Sequence, residues 1–187
     1  MYITDKEYKN LDFKEEPFEI GEYENCSFIN CDLSDSDLSN IIFAECEFKN
    51  CNLSMVKMIN TTLRDIIFKD CKMLGINFEN CNKFGFKVAF NNCMINHCSF
   101  FQTSLKKTTF ENSQIHETDF TECDLANSVF DTCDLAGSIF DNSILENVDF
   151  ATSYNFSIDP ESNRIKKAKF SKENISGLLE KYDIKIV

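Results

Sequence analysis

The stretch from Phe90 to Phe150 decides the fold, and after Phe90 it reads, in blocks of five, NNCMI NHCSF FQTSL KKTTF ENSQI HETDF TECDL ANSVF DTCDL AGSIF DNSIL ENVDF. Phe90 and the last residue of every block are Phe, Ile or Leu, so large apolar residues recur at a strict interval of five. An α-helix places its apolar residues about every 3.6 positions, and a half-buried strand about every 2. The interval fits neither, and it predicts an internal repeat.

A second class of residue stands at the third place of every block. These residues are small or weakly polar, such as Cys93, Thr108 and Val148. The other three places carry mostly polar residues. Each block therefore predicts two inward and three mostly outward side chains, which is typical of a solenoid wound around a continuous core.

The block ends alternate between Phe and Ile or Leu, and this alternation limits the number of blocks in one turn. An even number stacks Phe on Phe and aliphatic on aliphatic, whereas an odd number mixes them. Two blocks cannot enclose a core, and six would leave a hole, because protein interiors are filled to crystal-like density. We therefore expect four blocks, or twenty residues, in each turn.

Three five-residue stretches, read from the small inward residue of a block, carry a recognisable motif. Cys31–Asp35 reads CDLSD, Cys123–Asn127 reads CDLAN and Cys133–Gly137 reads CDLAG. They resemble the repeat of the pentapeptide-repeat family, A(D/N)LXX, in which Cys, Ser or Thr is common at the first place and Phe at the centre. The resemblance extends over nearly the whole chain. It implies an all-β solenoid, a right-handed quadrilateral β-helix with four short sides to each coil.

The same period organises nearly all of the 187 residues as one domain of about seven to eight coils, roughly 35 Å long at ~4.8 Å per coil. From Ile3 to Phe78 every fifth residue is again large and apolar. The predicted layout is a first side or N-terminal cap (1–12), a first solenoid segment (13–78), a register break (79–89), a second segment (90–170) with a loop at 154–164, and a C-terminal cap (171–187).

The register break between Phe78 and Phe90 adds two residues to the repeat. It contains Phe84 and Phe86, and it places Lys83 where a core residue is expected. We favour a bulge at a corner over a projecting loop that contacts a partner. The break is too short to project far, and the two aromatic side chains gain from burial.

From Ser171 onward the repeat gives way to a helical pattern. Ser171 is suited to cap a helix, and the spacing of the apolar residues after it predicts a short α-helix, followed by a strand at 183–187. We expect this segment to cover the last coil. The family resemblance implies a tail-to-tail homodimer at this end, and the alternative is a monomer in which the segment is only a cap. The candidate cap or dimer residues are Ile175, Leu178, Leu179, Tyr182, Ile184 and Ile186.

All ten cysteines fall at the small inward place of a block. This placement predicts buried thiols that serve as small core residues, rather than a disulfide scaffold. The sequence contains no signal-peptide pattern and no apolar run near about twenty residues, so we expect a cytoplasmic protein.

The sequence offers no catalytic constellation, so we expect a protein that is not an enzyme and needs no cofactor. It has two histidines, His97 and His116, and it lacks a phosphate-binding glycine loop and a Gly-x-Ser-x-Gly elbow. Cys93, His97 and Cys98 superficially resemble a metal cluster. The repeat already accounts for both cysteines as core residues, and a zinc site needs further converging ligands, so no metal site is expected.

The net charge of −12 is segregated along the chain. Residues 15–48 and 108–163 contain acids and no Lys or Arg, whereas residues 49–107 and 164–187 are net basic. One interpretation is solvation alone, since a solenoid must place polar residues on its outside. The segregation favours a binding surface instead. The candidate partner-binding residues on this acidic outer face are Glu111, Glu117, Asp119, Glu122, Asp124, Asp131, Asp134, Asp141, Glu146 and Asp149.

An acidic rod repels phosphates, so we expect no direct binding to nucleic acid, and nothing in the sequence points to a membrane. Such a rod fits a basic, duplex-shaped groove on a DNA-binding protein. The resemblance extends to the quinolone-resistance (Qnr-type) members of the family, and it implies a DNA mimic that binds DNA gyrase or topoisomerase IV and protects against quinolones. The alternative is a structural or scaffold solenoid with an unidentified protein partner.

Overall fold

The computed structural model describes residues 1–15 and 17–185, which form a β-solenoid of about eight turns. Its strands are short and parallel, and each pairs with the strands one turn before and after it. They are β1 (Tyr2–Thr4), β2 (Glu7–Lys9), β3 (Glu22–Glu24), β4 (Ser27–Ile29), β5 (Ile42–Ala44), β6 (Glu47–Lys49), β7 (Thr62–Arg64), β8 (Ile66–Lys69), β9 (Val88–Asn91), β10 (Thr109–Glu111), β11 (Val129–Asp131), β12 (Asp149–Phe150) and β13 (Lys169–Phe170).

Four sides run along the rod, and the chain visits them in the same order in every turn. Side 1 contains the sheet β1-β3-β5-β7 and continues through single bridges from Ser104 to Arg164. Side 2 contains a nine-stranded sheet from β2 to β13. Sides 3 and 4 are held by bridges such as Asp12↔Asp32 and Asn77↔Ser99, respectively. The nine strands of side 2, at about 4.8 Å spacing, give a rod about 38 Å long.

The predicted turn of four blocks is confirmed by the pairing register. Phe110 pairs with Phe90 and with Phe130, each one turn away. The rings of Phe110 and Phe130 are stacked, with centroids 4.5 Å apart and planes 4° apart. Phe120, on the opposite side of the rod, meets Phe110 edge-on at 6.1 Å. From Phe90 onward Phe therefore stacks on Phe along sides 2 and 4, and aliphatic residues stack along sides 1 and 3, as the alternation of block ends predicts.

The small inward residue of a block often bonds to the backbone of the preceding coil. Oγ1 of Thr118 donates to the carbonyl oxygen of Ile95 at 2.6 Å, and the thiol of Cys71 lies 3.3 Å from the carbonyl oxygen of Phe48. All ten cysteines are buried and free, as predicted, and burial raises the pKa of Cys98 to about 12. Cys, Ser and Thr share this place because each is small and carries a donor.

The residue two places after the large apolar residue that ends most blocks turns a corner in the left-handed conformation. Its φ is +53° at Asn50 and +49° at Asn112. Asn and Asp adopt this conformation at lower cost than most other residues with a side chain. They also bond from coil to coil, as where Nδ2 of Asn50 donates to Oδ1 of Asn30 at 2.8 Å. One of the three outward places is therefore selected for backbone conformation, a distinction that the apolar pattern does not contain.

The two additional residues of the register break lie on side 1, between Asn82 and Lys87. Side 2 is uninterrupted there, because β8 and β9 pair in register. Gly85 turns the chain with a φ of +70°, and Phe86 packs against the core. Phe84 is 83% exposed, so the expectation that both aromatic side chains are buried was wrong for Phe84, whose place at the turn leaves it outside the coil.

The segment predicted as a loop at 154–164 follows the path of the coil. Tyr154 still bridges to the preceding coil on side 3, and Arg164 does so on side 1. The chain forms no strand between these two residues, but Phe156 and Ile158 enter the core and are 2% and 1% exposed. Two closely spaced apolar residues thus fill the core where the five-residue pattern lapses.

Two short 3-10 helices, Ile175–Leu178 and Glu180–Tyr182, stand where the sequence predicted one α-helix, so that prediction was wrong. Gly177 explains the difference. It is a poor helix former, and its carbonyl oxygen accepts a hydrogen bond of 2.9 Å from the backbone N–H of Ile158. An α-helix would use that carbonyl within its own ladder. The apolar spacing is real, but docking onto the last coil determines the local structure.

The predicted terminal strand is not observed over the part that the structure describes. Asp183 adopts a left-handed conformation with a φ of +48° and lies in a turn, and residues 184–185 form no strand. Ile186 and Val187 lie outside the described residues. Within residues 1–15 and 17–185, no helix has the length and apolar character needed to cross a membrane.

Replacing Gly177 by Ala is expected to undock the C-terminal cap. A Cβ here would clash with the carbonyl oxygen of Phe156 and would lie 2.7 Å from its ring, and backbone cannot move aside cheaply. We expect a loss of about 1 to 3 kcal/mol in cap stability, read as faster hydrogen exchange in residues 171–185. Ser176→Ala, at an exposed neighbouring position, is the control. Unchanged exchange in Gly177→Ala would mean that this contact does not hold the cap.

Candidate functional site

The ten predicted acidic residues surround the rod rather than forming one face. None of them is buried, and all four sides carry at least two. Their positions follow from the block register, because residues twenty apart share a side. Side 1 carries Asp124 and Glu146, side 2 carries Glu111, Asp131 and Asp149, side 3 carries Glu117 and Asp134, and side 4 carries Asp119, Glu122 and Asp141.

Five of the ten carboxylates have a cationic or imidazole neighbour on an adjacent coil. Counting charges in continuous segments of the sequence does not reveal these neighbours, because they lie 18 or 20 residues from the carboxylate. The spacing of one turn is the signal that finds them. The pairs are Asp124–Lys106 at 2.8 Å, Glu146–Arg164 at 2.7 Å, Asp149–Lys169 at 2.8 Å, Asp134–His116 at 3.0 Å and Glu117–His97 at 3.2 Å.

Two of these paired carboxylates titrate below their ordinary range. A hydrogen bond from Lys169 lowers the pKa of Asp149. Burial alone would raise the pKa of Asp134, but contacts from Asn155 and His116 outweigh it, and the pKa is lowered. Both carboxylates are therefore held in the charged form by their own chain, and both are already engaged before any partner arrives.

The remaining five carboxylates have no Lys, Arg or His within ion-pair distance among the described residues. We call them the unpaired acids. Neutral groups solvate several of them: Nδ2 of Asn91 donates to Glu111 at 2.6 Å, and Nε2 of Gln102 donates to Glu122 at 2.7 Å. The unpaired acids are Glu111 and Asp131 on side 2, and Asp119, Glu122 and Asp141 on side 4.

The unpaired acids form two stripes on opposite sides of the rod. Glu111 and Asp131 are register partners on neighbouring strands, about 4.8 Å apart along the rod. Lys and Arg neighbours offset three of the ten carboxylates, which leaves seven along about 10 Å, or about one per 1.4 Å. Duplex DNA carries about one charge per 1.7 Å. The linear charge density of this part of the rod is therefore close to that of a duplex.

The candidate cap or dimer residues divide into two groups. Leu178 packs against the core and Leu179 is half-buried. Ile175, Tyr182 and Ile184 are 48%, 50% and 56% exposed. An exposed apolar surface thus remains at this end, where the predicted tail-to-tail homodimer would form; Ile186 lies outside the described residues.

The described residues bring together no metal-binding group. No cluster of three or more His, Cys, Asp or Glu side chains is arranged to hold an ion within residues 1–15 and 17–185. Cys93 and Cys98 are buried at 3% and 2% exposure, whereas His97 is exposed and contacts Glu117, so these three side chains do not converge.

Comparisons with known proteins agree with the repeat. A family model described as the pentapeptide repeat region matches residues 22–84 and 85–154. No curated protein sequence matches the chain. The fold is similar to that of a trypsin-treated variant of QnrB1, a plasmid-mediated fluoroquinolone resistance protein, with a TM-score of 0.50 and 21% identity over 99% of each chain.

A second similar structure is HetL, a pentapeptide repeat protein involved in heterocyst differentiation regulation from the cyanobacterium Nostoc. Its TM-score is 0.50 at 10% identity, over 91% of this chain and 86% of HetL. Identity at this level supports a shared fold alone. The family model, however, covers well over half of the sequence and coincides with the observed coils. The chain belongs to the pentapeptide-repeat family.

Proposed function

We infer that this chain is a non-enzymatic, protein-binding solenoid that acts in the cytoplasm as a DNA mimic toward DNA gyrase or topoisomerase IV. The observation that carries the proposal is the set of unpaired acids, which form stripes on opposite sides of a segment, about 10 Å long, with nearly the linear charge density of a duplex. The similarity in fold to a fluoroquinolone resistance protein supports gyrase as the first target to test.

The mechanism follows from how a basic groove recognises a duplex. A groove that binds DNA gains most of its affinity by placing Lys and Arg against backbone charges. Two opposite acidic stripes offer such a groove carboxylates in place of the two phosphate strands. The stripes span about 10 Å of the rod, which is about a third of one helical turn of duplex, about 34 to 36 Å. Carboxylates without internal partners need not break an ion pair in order to bind.

Gyrase supercoiling with and without a fluoroquinolone tests the proposal. We expect the protein to inhibit supercoiling at low salt, to lose this effect as salt rises, and to reduce drug-stabilised DNA cleavage. The salt dependence is expected because the contact is between exposed charges, which are screened beyond about 10 Å at 0.1 M. Absence of inhibition, of protection and of capture by immobilised gyrase or topoisomerase IV would refute the proposed target.

A second candidate function is a scaffold for another protein partner, and Phe84 is the observation that favours it. Phe84 is 83% exposed, and basic side chains surround its turn, with Lys83 before it and Lys87 after it. Aromatic side chains, Phe among them, are enriched in protein interfaces relative to the rest of the surface. Under this function, Phe84→Ala abolishes capture of the scaffold partner and leaves any effect on gyrase unchanged.

A further inference from the structure

Side 2 carries two straight columns of outward residues along its nine strands. The inward residue of each strand separates them. The leading column, one residue before the inward residue, is Glu7, Ser27, Glu47, Ile67, Ala89, Thr109, Val129, Asp149 and Lys169. The trailing column, one residue after it, is Lys9, Ile29, Lys49, Lys69, Asn91, Glu111 and Asp131, followed by Ala151 and Ser171.

The trailing column changes sign at its middle. Lys49 and Lys69 are register partners on β6 and β8, and Glu111 and Asp131 are register partners on β10 and β11. Asn91, on β9 between them, is neutral. Neither lysine forms an ion pair among the described residues, and both are exposed. Like charges directly opposite one another on neighbouring strands are destabilising. Within the described part of the chain, neither pair has a partner of opposite charge that would offset this repulsion.

We propose that side 2 is a self-complementary interface on which a second copy of this chain packs side by side and antiparallel. A twofold axis that runs along β9 places β8 opposite β10 of the second copy, and β6 opposite β11. Lys69 then faces Glu111 and Lys49 faces Asp131 across the interface, and symmetry makes four such ion pairs. Each like-charged pair is neutralised by the opposite pair of the other copy.

The leading column supplies a mostly apolar centre for the same arrangement. Ile67 is 49% exposed and faces Thr109 of the second copy, while Ala89 lies at the axis and faces itself. Small side chains at the axis allow the two sheets to approach closely. Val129, 37% exposed, faces Glu47 of the second copy, and this contact of an apolar with a charged side chain is the one mismatch near the axis in the leading column. Near the axis the leading column is thus mostly apolar, and the trailing column beside it on the same strands carries the charges.

The size of side 2 predicts a weak dimer. Nine strands at about 4.8 Å and three residues at about 3.3 Å give about 400 Å² for each copy. A stable interface usually buries about 800 Å² on each partner. We therefore expect a dimer that depends on concentration and salt. The dimer and the proposed function compete for side 2, because Glu111 and Asp131 are engaged by the second copy, whereas the unpaired acids of side 4 stay exposed in the dimer.

Analytical ultracentrifugation of the full chain with two charge variants tests this interface. One variant combines Lys49→Glu with Lys69→Glu, and the other combines Glu111→Lys with Asp131→Lys. Each alone makes side 2 self-repulsive, so we expect the dissociation constant of its homodimer to rise at least about tenfold. An equimolar mixture of the two variants restores complementarity, and we expect a heterodimer. Circular dichroism of each variant checks the fold, which outward side chains should leave intact.

Three results would overturn the proposal. The first is a wild-type chain that stays monomeric at about 1 mM and low salt. The second is dimerisation of both variants with the affinity of the wild type. The third is a dimer lost on Ile175→Asp with Tyr182→Asp, which indicates the tail-to-tail arrangement. Gyrase inhibition is measured separately on the lysine-reversed variant, which keeps every unpaired acid, so failure of one proposal is distinguishable from failure of the other.

Discussion

Replacing Phe120 by Ala is expected to lower the free energy of unfolding by about 3 to 5 kcal/mol. Phe120 is fully buried, and its ring stacks between Phe100 at 5.4 Å and Phe140 at 5.0 Å. Phe110 and Phe130 meet it edge-on from the opposite side. Truncation removes contacts on every side, and the rigid coils above and below cannot collapse into the cavity.

Equilibrium unfolding in urea measures this effect, and Phe84→Ala is the matched control. Phe84 is the same residue type but 83% exposed, so we expect a change within about 0.5 kcal/mol. A domain with the usual stability of about 5 to 15 kcal/mol loses a large part of it in the first variant. Equal losses in the two variants would mean that the stacked rings do not stabilise the rod as the structure indicates.

Neutralising the unpaired acids of side 4 is expected to abolish most of the effect on gyrase. The variant combines Asp119→Asn, Glu122→Gln and Asp141→Asn, none of which has a cationic partner among the described residues. We expect the concentration needed for half inhibition of supercoiling to rise at least about tenfold, because each lost contact with a basic groove is a charge-assisted one.

The control for this variant neutralises three acids that already have basic neighbours. Asp124→Asn, Glu146→Gln and Asp149→Asn change the net charge by the same amount, but their carboxylates are engaged by Lys106, Arg164 and Lys169. We expect a change of less than about threefold. Equal losses in the two variants would assign the effect to overall charge rather than to the stripe on side 4.

The sequence predicts the repeat well because each feature of the repeat recurs in every coil. The spacing of block ends, the small inward residues and the alternation of Phe with aliphatic residues each recur many times, so four sides per turn could be inferred and the stacking of Phe110 on Phe130 followed. Pairs such as Asp149–Lys169 were also within reach once the turn was known, because their spacing is one turn.

Two of the features that were missed occur only once in the chain. The C-terminal residues have the apolar spacing of an α-helix, but Gly177 docks on Phe156 and diverts the chain into 3-10 turns. Phe is a residue type typical of protein cores, but the turn at Phe84 leaves its side chain exposed outside the coil. Neither outcome is contained in a local pattern, because both depend on which coil lies beneath the segment.

The confinement of two additional residues to one corner between Asn82 and Lys87 bears on how such a molecule grows. Because β8 and β9 remain in register across it, an irregularity in one turn is not inherited by the next. Whole turns are then interchangeable modules. A gene duplication or deletion that adds or removes one turn changes the length of the rod by about 4.8 Å. The length of the rod is therefore expected to vary among related proteins in steps of one coil.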